Sequence, residues 1–252
     1  MKLPDKVFGI NTQEAYKKYL EDSGKRKPDD VKKPKIIPNN VQGGDKYIIL
    51  PENKHESYEY PDLLVSVERS HNGENWNQAH ESLRQESLFM LTLRQYADFL
   101  NLLKSGKAFD GNGRPLDKSR LDSVLDDIMT VRNPYRAEWL DAKFDCKGIL
   151  KKQFHITYHI IKSNGALEKI NEPLNDYLAM DKPIDLEGWL RNANYQGFPA
   201  SDTADGNLYY WHPRNGRVAG FDAGSGGAGL CCDGDPAFSD SGLGVRAAKI
   251  KT

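Results

Sequence analysis

Hydrophobic positions recur along this chain with two periods, and the change from one to the other divides it. Tyr47–Leu50 and Asp62–Glu68 are runs of apolar and β-branched residues, which predicts strands. A short helix is expected near Trp76–Gln85, and Leu88–Leu91 reads as a further strand. Thr92 with Gln95 three residues on is a capping-box start. Leu93, Tyr96, Ala97, Leu100 and Leu103 then recur at helical spacing, and Gly106 ends the helix. A second helix is predicted from about Asp117 to Met129, with Leu121, Val124, Leu125, Ile128 and Met129 on one stripe, stopped by Asn133-Pro134. Beyond this point period-two alternation takes over. Trp139–Phe144 and Gln153–Ile161 read as strands, with a hairpin-type turn at Asn164-Gly165. Leu174–Met180 and Ile184–Leu190 are short and ambiguous. Two helices between an early strand and several late, short strands predict an α+β domain.

The tail from Val218 to Arg246 carries two interleaved sets of positions. Val218, Phe221, Ala223, Ala228, Leu230, Cys232, Leu243 and Val245 form a β-framework. The second set is Gly220, Asp222, Gly224, Gly226, Gly227, Gly229, Cys231, Asp233, Gly234, Asp235, Phe238 and Asp240. Successive strand side chains point to opposite faces, so Asp222, Gly224, Gly229, Cys231 and Asp233 are expected on one exposed face, with a turn at Gly226-Gly227. Glycine packs nothing and costs entropy in a strand, so a face of Gly and Asp reads as one not built for stability. Phe238 is expected to be its only large apolar anchor.

Residue types in the tail add a genetic signal. A codon of the form AAY, randomised at its adenines, cannot encode Lys, Glu, Gln, Met or Trp, and none of these occurs from Val218 to Val245. In this the tail resembles the variable region of target proteins of diversity-generating retroelements. The segments 88–103, 131–141, 209–214 and 243–246 are similar to the archaeal variable-protein branch of that family, so the likeness covers roughly residues 88–249. The resemblance implies a C-type lectin-like fold with two helices and short antiparallel sheets. It places the variable region at about 212–242 on the C-terminal strands and loops, and makes His212 a possible variable position. The last strand, Leu243–Lys249, is expected to pair with the first. The function implied is a non-enzymatic protein that displays a hypervariable surface to protein ligands. The alternative is an oxidoreductase of the formylglycine-generating type, with a cysteine site on the same fold.

Composition narrows the picture. Residues 1–45 form a polar arm, with an amphipathic helix expected over Gln13–Leu20 and basic clusters at Gly24–Pro28 and Val31–Lys35. Residues 46–252 are expected to form the lectin-like domain. A net charge of −1 gives no global footprint for nucleic acid, and the arm's basic cluster reads as solvated. No apolar run is long enough for a membrane span, and the start lacks a signal-peptide core, so cytoplasmic folding is the expectation.

Little in the chain points to catalysis or metal binding. Three cysteines make no disulfide framework. His155 and His159 share a strand face but lack the usual i, i+2 ligand spacing and a third partner, so no metal and no cofactor are expected. Asp110–Arg114 resembles the start of a calcium loop, yet Arg114 and Pro115 occupy the positions that need an oxygen ligand and Gly; it reads as a turn. Asp235-Pro236-Ala237 departs from the carboxylate-Pro signature of calcium-dependent lectins. Trp139, Trp189, Trp211, Tyr209 and Tyr210 read as core or cavity-edge aromatics.

Overall fold

The computed structural model describes residues 43–148 and 153–252, and the backbone of β1 (Lys6–Val7) and β2 (Ile10–Asn11). The chain divides into two compact units, Met1–Ile37 and Pro38–Thr252. In the first, β1 and β2 pair antiparallel. The helix expected over residues 13–20 and the basic clusters between residues 24 and 35 lie outside the described residues.

In the second unit the early strands are β3 (Tyr47–Leu50), β4 (Asn53–His55), β5 (Tyr58–Tyr60), β6 (Leu63–Ser66) and β7 (Phe89–Met90). The helices are α1 (Trp76–Gln85), α2 (Leu93–Ser105), α3 (Lys118–Met129) and α4 (Leu186–Asn192). The later strands are β8 (Arg136–Lys147), β9 (Gln153–Ile161), β10 (Leu167–Pro173), β11 (Lys182–Ile184), β12 (Leu208–Trp211), β13 (Arg217–Gly224), β14 (Gly227–Gly234), β15 (Leu243–Val245) and β16 (Ala247–Ile250).

This arrangement overturns the expected lectin-like layout. Among the described residues the unit holds 4 helices and 14 strands, and is mainly β. An 8-stranded mixed sheet dominates it, in the order β10-β9-β8-β13-β14-β12-β11 with β15 pairing β8. Two smaller sheets, β3-β6-β16-β7 and β4-β5, accompany it. The discrepancy has a physical source. Edge strands carry charge and proline to resist further pairing, so β10, with Glu168, Lys169, Glu172 and Pro173, looks like a loop in sequence. The central β8 is buried on both faces along its first half, which hides the alternation that would announce its 12-residue length. The expected final strand is broken at Arg246 into β15, parallel to β8, and β16, antiparallel to β6.

The two long helices, α2 and α3, start where predicted, α3 directly after Asp117. Thr92 and Gln95 close a capping box on α2, which ends at left-handed Gly106. Asn75 and Gln78 close another on α1. The main core packs α2 and α3 against Leu140, Ala142, Phe144, Phe221 and Leu230. A second cluster joins Trp76, Ala79 and Leu83 of α1 to Ala137, Trp139, Val218 and Val245. The sheet is therefore covered by α1 on one face of β8 and by α2 on the other.

Inside the main core, segments that are far apart in sequence meet through charge. Glu138 is fully buried, accepts from the Tyr96 hydroxyl at 2.7 Å, and pairs with Arg136 and Arg246 at 3.2 Å each. Arg246 also donates to the backbone carbonyls of Ser66 and Val67. Burial by itself would raise the Glu138 pKa. The charges of Arg136 and Arg246 and the Tyr96 hydroxyl outweigh it and hold the carboxyl at about 2. A buried ion pair adds little net stability, but removing one partner strands the others, so this network ties the β15–β16 junction to β8 and α2.

Candidate functional site

Strand register determines which tail residues lie together. Directly paired residues share a sheet face. One row across β8, β13, β14 and β12 runs Trp139, Gly220, Cys231, Trp211. The next runs Ala137, Asp222, Gly229, Tyr209. The β8 end of this face is covered by α1, while the β12 end is open: Tyr209 is 37% and Trp211 39% exposed. Their rings stand 4.6 Å apart at 50°. Gly220 and Cys231 leave the sheet between Trp139 and Trp211 without bulky side chains.

The framework positions Val218, Phe221, Ala223, Ala228, Leu230, Cys232, Leu243 and Val245 are all buried. The second set divides in two. Asp222, Cys231 and Asp233 are half-buried, and Gly226, Asp235 and Phe238 are exposed. Gly220 and Gly229, by contrast, are buried, which corrects their placement as open positions. A Cβ at Gly229 would lie 2.5 Å from the Tyr209 carbonyl oxygen, and one at Gly220 3.1 Å from that of Glu138. Gly224 and Gly234 are almost as tight, at 3.1 Å from Tyr135 and Trp139 respectively, and Gly227 has φ +126°. Asp240 is held within its turn, accepting from the Gly242 amide at 2.7 Å. Much of the glycine content thus serves close strand and ring packing.

Charge on the face is partly compensated. Arg217 pairs with Asp235 at 2.9 Å. Asp181 accepts from the His212 amide at 2.9 Å and pairs with Arg214 at 2.8 Å. Burial opposes ionisation of Asp181, but those hydrogen bonds and the Arg214 charge hold it below the ordinary carboxylate range. Asp222 and Asp233 lie the other way. Burial raises both, and the charge of Asp233 adds to the effect on Asp222. Burial also pushes the Cys231 and Cys232 thiols well up, and Asp222 and Asp233 reinforce this at Cys231. A nucleophilic or redox cysteine needs the opposite environment.

Other sequence expectations resolve as follows. Trp139, Trp189 and Tyr210 are core, whereas Tyr209 and Trp211 face solvent, so Phe238 is not the only large apolar group on the surface. Alternation across Tyr209-Tyr210-Trp211 carried that signal, since an inward Tyr210 forces its neighbours outward. Asp110 accepts from the amides of Asn112 and Arg114, closing a turn. His159 contacts Asp141 rather than joining His155. No helix among the described residues is long and apolar enough to cross a membrane. No known protein family, curated protein or solved structure matches the chain.

Proposed function

We propose that this chain is a non-enzymatic ligand-binding protein that presents the β12–β14 face, with its flanking 235–240 loop, to a protein ligand, and that a retroelement diversifies part of that face. The observation that carries the reading is the separation of burial classes within one short segment. Every framework side chain from Val218 to Val245 is buried, while Asp222, Gly226, Cys231, Asp233, Asp235 and Phe238 reach solvent between them. Substitution at such positions changes the surface at small cost to the fold. Fixed Tyr209 and Trp211 beside them supply the rigid aromatic area that binding surfaces favour. The residue types absent from the segment agree with adenine-directed change.

The nucleotide sequence of the locus tests this reading. An imperfect repeat of the region encoding the tail is expected nearby, with a reverse transcriptase gene, differing from the coding copy only at adenines. Those differences should fall in the codons of the six solvent-reaching residues and spare the codon of Gly229. Absence of the repeat, or differences spread evenly over framework codons, would count against diversification.

A further inference from the structure

Away from the displayed surface, α1, β8 and β9 bring His80, Asp141 and His159 together. Their ligand-capable atoms all lie within 4.8 Å of one another. His80 Nε2 is 3.4 Å from Asp141 Oδ1, and His159 Nδ1 is 3.1 Å from both Asp141 oxygens. Donors bound at about 2.0–2.1 Å around a tetrahedral ion stand roughly 3.3 Å apart. The two contacts to the carboxylate already have that spacing, and the two imidazole rings stand beside each other with centroids 5.5 Å apart.

Hydrogen bonding satisfies only one of the two imidazoles. His80 Nε2 is buried and makes no hydrogen bond, a costly state for a ring nitrogen aimed at a carboxylate. The Trp76 ring packs edge-on against His80 at 4.2 Å and fixes its direction. The His159 amide donates to Asp141 Oδ2 at 2.8 Å, which orients the carboxylate in the way that outer partners orient metal ligands. Asp141 sits where β8 changes partner from β15 to β9, and its side chain opens into the space on the α1 side of the sheet. That space is a cavity of about 910 Å³, lined also by Arg84, Lys143, Lys169 and Lys249.

We propose that His80, Asp141 and His159 bind a first-row divalent metal ion, zinc being the best match, with its remaining coordination position open to this basic cavity. Two imidazoles and one carboxylate, with a position left free, form a ligand set such ions take. Arg84 is already paired with Glu81, and the lining lysines favour an anionic oxygen donor, a carboxylate or phosphate, in the free position. The site is independent of the displayed surface and stands or falls separately from it.

The test uses the full chain, stripped with a chelator and titrated with Zn²⁺ and with Co²⁺. One ion per chain is expected, with the intense visible bands of low-coordinate Co²⁺, and added phosphate should shift those bands. His80→Ala and Asp141→Asn should each weaken binding by more than about 100-fold, beyond the loss typical of outer-shell partners. His155→Ala should leave it unchanged. Far-ultraviolet circular dichroism identifies a variant that has lost its fold; if Asp141→Asn does so, His80→Ala decides, since His80 is on a partly exposed helix. Failure to bind one ion per chain, or equal affinity in His80→Ala, overturns the proposal. Bands indifferent to phosphate overturn the open position.

Discussion

Gly226 and Gly229 are three residues apart in the same glycine-rich segment, yet their surroundings are opposite. A Cβ at Gly226 meets nothing within 4 Å, whereas one at Gly229 runs into the Tyr209 backbone at 2.5 Å. Backbone cannot swing aside as a flexible side chain can. Gly229→Ala is therefore expected to cost about 1–3 kcal/mol, the scale of overpacking, and Gly226→Ala to change stability by less than about 0.5 kcal/mol. Leu230→Ala, a truncation in the core, is expected to cost about 2–5 kcal/mol. Urea denaturation of the three variants gives these numbers, and similar losses at Gly226 and Gly229 would contradict the steric account. At this scale the sequence could be read for apolar residues but not for glycine. Phe221 and Leu230 announce burial by type, but a glycine's role depends on which strand passes beside it, and that partner, β12, pairs in parallel from outside the hairpin.

Elements bounded by local chemistry were legible: the capping box of α2, the turn at Gly165, and the strands β3, β6 and β9. Elements defined by distant partners were not, as with β10 and the break between β15 and β16. Arg246, at that break, shows why. Its place is set by Glu138 and by the carbonyls of Ser66 and Val67, none of them near it in sequence. The network it joins has a measurable signature. Glu138 titrates at about 2 in the folded chain against an ordinary value of 4.5. A depressed carboxylate pKa contributes stability that is fully present above the unfolded value and lost as pH falls through the folded one. The unfolding free energy is thus expected to fall between about pH 5 and pH 2, and Glu138→Gln to flatten that part of the profile while lowering stability at neutral pH. A Glu138→Gln profile as steep as that of the native chain would show that other carboxylates govern acid unfolding.

Across the whole molecule, the sheet places two kinds of surface on one face. α1, with Trp76 and Trp139, closes the face over β8, and the face opens toward its β12 end, at Tyr209 and Trp211. The burial of Phe221, Leu230 and Val245 in the C-terminal strands could be read from alternation. The mainly β architecture could not, nor could the convergence of His80, Asp141 and His159, because sequence spacing says nothing about which helix lies over which strand. On the proposed function, a buried framework and a mutable surface are separable within the tail. This separation is tested most directly by comparing two libraries for protease resistance: one randomised at Asp222, Gly226, Cys231, Asp233, Asp235 and Phe238, the other at Val218, Phe221, Ala223, Gly229, Leu230 and Cys232. Most members of the first are predicted to remain folded and nearly all of the second to be lost; comparable survival in the two would contradict the account.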